Sequence, residues 1–94
     1  MNTIIEILTE KVSNAFIICG YQDSFGSVTK SDRPDLCQFQ CNGSFAAAKI
    51  YKKALIIIAN QVTQHLSCDP IFKTITVAGS GFINMELSDS FLLQ

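Results

Sequence analysis

Two residues near the C-terminal end of the sequence have the types and spacing needed to recognise a nucleobase. In the segment GSGFINMEL, residues 79–87, strand alternation places Phe82 and Asn84 on one side and apolar residues on the other. An aromatic ring stacks on a splayed-out base, and a neighbouring amide offers a donor and an acceptor to the edge of that base. The pair therefore favours base recognition. The alternative is that a neighbouring loop or further chain covers the ring of Phe82, since single exposed apolar residues are common.

The four cysteines and the single histidine do not follow a metal or catalytic pattern. Cys37 and Cys41 are separated by three residues rather than the two of a zinc knuckle, and Cys19, Cys68 and His65 supply no second pair. No serine or cysteine stands with a histidine and an acid in a recognisable arrangement, and no glycine-rich phosphate loop occurs. We interpret the cysteines as buried free thiols and expect no catalytic residue, metal or cofactor in this domain. A small thiol or metal protein is the weaker alternative.

The composition predicts one soluble globular domain. The 94 residues are 48% hydrophobic and 16% charged, with a formal net charge of −1. This charge provides no broad positive field for nucleic acid, so RNA binding would depend on a few directed contacts. Lys49, Lys52 and Lys53 gather at the end of one helical stretch, a pattern more typical of a solvated surface. No apolar run is long enough to cross a bilayer, and we expect a cytoplasmic protein with no membrane partner.

The hydrophobic periodicity predicts three helical stretches. Apolar residues recur at helical spacing over 4–19, and again over 44–53 and 54–66. The last two are either separate helices with a break near Lys53 or one kinked helix. Between the first and second stretches, residues 21–35 are rich in Gly, Ser, Asp and Pro, which predicts a long surface loop.

Three further segments alternate apolar and polar residues and are predicted strands. They span residues 36–41, 72–79 and 82–87, and the last two form a hairpin. We therefore predict an α+β fold, with a small three- or four-stranded, mainly antiparallel sheet that has helices on its apolar face and an open opposite face. The open face would carry the side chains of Gln38, Gln40, Thr74, Thr76, Phe82, Asn84 and Glu86. Ser88 could cap a further helix that begins in residues 88–94, as in a domain taken from a longer chain.

Two stretches of this sequence resemble the signature motifs of the N-terminal additional domain of arginyl-tRNA synthetases. They are RPDLCQFQCNGSFAAAK, residues 33–49, and VAGSGFINMELSD, residues 77–89. The usual family forms are D-[FY]-Q-C-N-[GS] before an alanine-rich helix and G-x-G-[FY]-I-N before a linker to the catalytic domain. Both motifs keep their order and spacing, and the resemblance covers nearly the whole chain. The segment 52–61, KKALIIIANQ, departs from the usual Asn-Pro helix start.

The resemblance implies that residues 1–94 bind the D loop of arginine tRNA within a longer ligase that uses ATP. The family's stacking aromatic and hydrogen-bonding amide fall on Phe82 and Asn84. Gln40 and Asn42 match the first motif and are further candidates for RNA contact. Asn42 is equally explained by a helix cap and a sheet-edge hydrogen bond, and Ser44 could also fill the cap.

The class I catalytic motifs, His-Ile-Gly-His-like and Lys-Met-Ser-Lys-Ser-like, do not occur in the sequence. We therefore expect that this domain alone neither binds ATP nor aminoacylates tRNA. Its expected partners are arginine tRNA and the catalytic domain of the same chain. The alternative function is a protein-interaction or interdomain docking module that makes no RNA contact of its own.

Overall fold

The structure, a computed structural model, describes residues 3–31, 37–79 and 81–88. The helices are α1 (Ile4–Ile18), α2 (Gly43–Tyr51) and α3 (Leu55–Leu66), and a short 3₁₀ helix spans Asp23–Gly26. The strands are β1 (Thr29–Lys30), β2 (Phe39–Cys41), β3 (Phe72–Ala78) and β4 (Phe82–Leu87). They form one sheet in the order β1-β2-β4-β3, with every neighbouring pair antiparallel. The predicted α+β class, with helices on one face of a small antiparallel sheet, is confirmed.

Helix α1 has the boundaries that its end residues favour. At its start, the Oγ1 atom of Thr3 accepts a hydrogen bond from the backbone N–H of Glu6 at 3.1 Å, which satisfies one of the free donors of the first turn. At its end, Gly20 adopts a φ of 93°, a conformation that glycine enters without steric cost. The predicted helix is confirmed. Its buried stripe consists of Leu8, Val12, Ala15 and Phe16.

The break between α2 and α3 lies where the sequence predicts it. Lys52 caps α2 in a left-handed conformation with φ 54° and ψ 45°, and Ala54 is extended before α3 begins. A left-handed residue ends a helix, so the two stretches are separate helices and not one kinked helix. The core face of α3 consists of Ile58, Ala59, Val62, Thr63 and Leu66.

The prediction of a long surface loop over residues 21–35 is wrong for its first half. Tyr21, Phe25 and Val28 are buried, and β1 pairs with β2. The rings of Tyr21 and Phe25 lie 6.3 and 5.9 Å from the ring of Phe16 on α1. Burial of each large apolar side chain contributes about 1.5–3 kcal/mol, so these aromatics anchor a segment whose average composition is polar. Residues 32–36 lie outside the described part of the chain.

The predicted alternation of the last strand is confirmed. Ile83, Met85 and Leu87 are fully buried under the helices, whereas Phe82 and Glu86 are only half-buried on the other side. The hairpin turn that leads into β4 needs glycine, because a Cβ atom on Gly81 would lie 2.5 Å from Cγ of Leu55. Strand β2 begins at Phe39, so the predicted strand 36–41 is shorter than expected.

The cysteines are free thiols in three different environments. Cys37 and Cys41 are buried, Cys19 is half-buried and Cys68 is exposed, so the interpretation of all four as buried is wrong for Cys68. Cys68 lies just after the end of α3, in the turn that leads to β3. Among the described residues, no helix is both long enough and apolar enough to cross a membrane. The predicted helix after Ser88 falls on residues 89–94, which lie outside the described part of the chain.

Candidate nucleic-acid interface

A row of polar side chains crosses all four strands on the face of the sheet opposite the helices. Thr29 of β1 is opposite Gln40 of β2, Gln40 is opposite Asn84 of β4, and Asn84 is opposite Thr76 of β3. Directly opposite residues in paired strands point to the same side of a sheet. These four side chains are therefore neighbours, and we call them the polar row. The register confirms the predicted face.

Gln40 and Asn84 are joined by a hydrogen bond between their side chains. Nε2 of Gln40 donates to Oδ1 of Asn84 at 3.0 Å. Each amide has two donor hydrogens and an acceptor oxygen, so one bond leaves most of this capacity unused. Within the described residues, Nδ2 of Asn84 and Oε1 of Gln40 make no hydrogen bond. The pair therefore offers a fixed donor and a nearby acceptor to a ligand on the open face.

The ring of Phe82 lies at the end of the same face and contacts a second aromatic ring. Its centroid is 4.8 Å from that of Phe45 in the first turn of α2, with an angle of 58° between the planes. Phe82 is half-buried. Part of the cover of Phe82 within the described residues thus comes from a helix residue.

Asn42 also lies at this end of the face. Asn42 follows directly after Cys41, the last residue of β2, which is opposite Ile83 of β4. Asn42 occupies the N-cap position of α2, but its exposed side chain makes no capping bond within the described residues. Ser44 does not cap either, since its buried Oγ has no hydrogen-bond partner in that part of the chain. The cap interpretation is therefore wrong for both side chains, and the amide of Asn42 is accessible.

Phe45 is the residue of this site that sequence reasoning missed. The buried residues of α2 are Ser44 and Ala47, and Phe45 lies outside that stripe. The signal in the sequence that could have identified Phe45 is a large aromatic side chain that lies outside the buried stripe of an alanine-rich helix. Its contact with Phe82 could not be predicted, because it joins residues that are 37 positions apart in the sequence.

An ion pair joins α1 to the end of α3, away from the open face. Nζ of Lys11 and Oδ2 of Asp69 form an ion pair at 2.8 Å between α1 and the end of α3, beside an open groove of about 250 Å³ that His65 also lines. Burial acts to raise the pKa of Asp69, but hydrogen bonds from Lys11 and from the Ile71 backbone, with the charge of Lys11, hold it below its ordinary value. Within the described residues, no three metal-binding side chains cluster.

Comparison with known proteins identifies the family. A family profile described as "Arginyl tRNA synthetase N terminal domain" matches residues 2–87. The chain belongs to this family. The resemblance seen in the two motifs is thereby confirmed over almost the full sequence.

Curated relatives of this arginyl-tRNA synthetase N-terminal domain carry the name arginine-tRNA ligase. The protein from Alkaliphilus oremlandii is 52% identical over 92 residues, which cover 98% of this chain and 16% of the relative. The protein from Agathobacter rectalis is 42% identical over 94 residues, with 100% and 16% covered. The chain therefore spans about one sixth of the length of these relatives.

A solved structure supports the fold of the family member. The crystal structure of arginyl-tRNA synthetase from Plasmodium falciparum matches 98% of this chain and 17% of that protein, with a TM-score of 0.81 and 21% identity. At this level of identity, the match shows a shared fold.

Proposed function

We propose that this domain binds the D loop of arginine tRNA by stacking an exposed base on Phe82 and hydrogen-bonding its edge through Asn84. The longer ligase that contains the domain attaches arginine to that tRNA with ATP. The observation that carries the proposal is the aromatic ring beside the hydrogen-bonded amides of Gln40 and Asn84 on an open sheet face. The ligase names of its relatives support the choice of arginine tRNA as the RNA.

The three side chains have different roles in this proposal. Stacking of a base on Phe82 contributes about 1–3 kcal/mol and tolerates any base, because every base has a π face. Asn84 supplies the donor and acceptor that read the base edge. Gln40 holds the Asn84 amide through the 3.0 Å bond, so less side-chain entropy is lost when the base binds.

Asn42 and the weak overall charge fit the same proposal. Asn42 has an accessible amide between the end of β2 and the start of α2, and we propose that it contacts the sugar or the phosphate of the stacked nucleotide. The formal charge of −1 means that this domain adds directed contacts, while other parts of the ligase supply most of the electrostatic attraction for tRNA.

We also propose that the domain itself performs no catalysis, that the catalytic domain binds ATP, and that the protein is cytoplasmic.

An NMR titration with a D-arm hairpin of arginine tRNA tests this function. The backbone amides of Phe82 and Asn84, and the side-chain amides of Asn84 and Gln40, should shift. A matched hairpin with an abasic site at the exposed D-loop base should remove most of these shifts. Shifts confined to the helices, or equal shifts with both hairpins, would contradict base recognition.

A docking role is the second candidate, and exposed isoleucines on the helices favour it. Their exposed fractions lie between 45% and 64%, and the residues are Ile17, Ile18, Ile50, Ile56 and Ile57. We propose that these side chains contact the catalytic domain of the same chain, which would remove their apolar surface from water. Serine in place of Ile17 and Ile57 should loosen that contact in the ligase and leave the D-arm shifts of Asn84 unchanged.

A further inference from the structure

The RNA-contact surface extends beyond the sheet. We propose that it continues onto α2, where Phe45 positions the ring of Phe82 and Lys49 binds a phosphate next to the stacked nucleotide. The inference rests on the proposed function and names contacts for the same RNA.

Phe45 restricts where the ring of Phe82 can lie. The two ring centroids are 4.8 Å apart, and both residues are half-buried. One side of the Phe82 ring is thus held against α2, and its remaining surface is available for stacking. Phe45 is a positioning residue for that surface.

Lys49 lies on the same side of α2 as Phe45. Residues four apart on a helix are neighbours, separated by about 6 Å along its axis. Helical side chains also lean toward the N-terminus, so the side chain of Lys49 extends over the turn that carries Phe45. Lys49 is exposed. Its ammonium group can therefore reach the backbone of a nucleotide stacked on Phe82.

The charges on this surface place the phosphates at the α2 end. Lys49 forms no ion pair within the described residues, so its charge is available to a ligand. Glu86, the carboxylate that the described part of β4 presents on the open face, is four residues from Phe82, or about 13 Å along the strand. Lys73 lies in the bulge of β3, next to Thr74, which is opposite Glu86, so this end of the face carries one charge of each sign. A phosphate is attracted toward Lys49 and gains nothing at the Glu86 end.

The salt dependence of tRNA binding tests the role of Lys49. In the full-length ligase, Lys49→Gln should weaken binding of labelled arginine tRNA about fivefold at 0.1 M salt. It should also reduce the slope of log affinity against log salt concentration by about 0.7, the value for one single-strand phosphate. Lys73→Gln is the matched control, since it removes an exposed lysine from the other end of the face. An unchanged slope for Lys49→Gln, or an equal change for Lys73→Gln, would overturn the phosphate contact.

The positioning role of Phe45 is tested by its coupling to Phe82. Phe45→Leu should raise the KM for tRNA and leave the KM for ATP unchanged, and Phe45→Tyr should behave as the wild type. In a Phe82→Ala background, Phe45→Leu should have no further effect on the KM for tRNA, whereas a merely structural residue would still show one. Additive effects would contradict the inference. If Phe82→Ala itself leaves tRNA binding unchanged, the proposed function fails first, so the two failures are distinguishable.

Discussion

The two faces of β4, a strand of six residues, differ in burial and in what they contact. On one side, Ile83, Met85 and Leu87 are buried to at least 99% and join the sheet to the helices. On the other side, Phe82 and Asn84 are half-buried, and their polar groups and ring face away from the core. Because successive side chains alternate, a residue can change the binding surface without entering the core. Stability and RNA binding should therefore be separable by single substitutions along one strand.

The largest expected effect is on stability and comes from the buried side. Met85→Ala should lower the free energy of unfolding by about 2–5 kcal/mol, because it removes a fully buried side chain and leaves a cavity. Urea denaturation followed by circular dichroism measures this. Glu86→Ala, its neighbour on the open side, is the control and should change stability by about 0.5 kcal/mol or less. Equal losses for the two variants would contradict the division of the strand.

The next effect is on binding and comes from the open side. Phe82→Ala should weaken binding of arginine tRNA by about 5- to 150-fold, the equivalent of one lost stacking contact. Its cost in stability should be smaller than that of Met85→Ala, because Phe82 is only half-buried; the ring contact with Phe45 contributes about 0.5–1.5 kcal/mol of that cost. Phe82→Tyr keeps the stacking plane and serves as the control. A variant that loses stability but binds tRNA normally would place Phe82 with the core residues.

A smaller effect is expected from the amide pair. Asn84→Ala should weaken tRNA binding by about 1 kcal/mol or more, and Gln40→Ala by less, since Gln40 acts mainly through the hydrogen bond to Asn84. In a double-mutant cycle, Gln40→Ala should therefore have little effect once Asn84 is alanine. Independent losses from the two substitutions would show that Gln40 contacts RNA directly.

The smallest expected effect concerns the cysteine thiols. It compares Cys41, which is buried, with Cys68, which is exposed. Burial raises the pKa of Cys41 to about 11, outweighing a backbone hydrogen bond at Gly43 that lowers it. The folded thiol thus stays protonated above its ordinary pKa of 9.0, so its contribution to stability is present below pH 9 and is lost as pH rises toward 11. At pH 8, iodoacetamide should modify exposed Cys68 first and Cys41 only on unfolding. Rapid modification of Cys41 in the folded chain would contradict its burial.

The features that could be predicted from sequence are those that depend on neighbouring residues. The sheet face on which Phe82 and Asn84 lie follows from side chains that alternate with a period of two, and the helix over 4–18 follows from apolar residues that recur with a period of 3.6. The burial of Tyr21 and Phe25 could not be read from composition, because it depends on the distant ring of Phe16. Local patterns identify the face of a residue, while packing partners come from the tertiary fold.

The same limit applies to the candidate site. Alternation places Gln40 on the open face, but the RNA contacts of Gln40 and Asn42 could be proposed only from the motif that they share with the family. Their neighbours are set by the antiparallel register of β2 and β4, which joins residues 44 positions apart. Phe45 was not predicted at all, since its contact with Phe82 depends on where α2 starts relative to the sheet.

The most direct test of the central claim is steady-state aminoacylation by the full-length ligase carrying Phe82→Ala or Asn84→Ala. Recognition of the D loop by this domain predicts a raised KM for arginine tRNA, with unchanged KM values for ATP and arginine. Gln64→Ala, an exposed change on α3, is the control and should leave all three values unchanged. Wild-type KM values for tRNA in both open-face variants would contradict the assignment of the site.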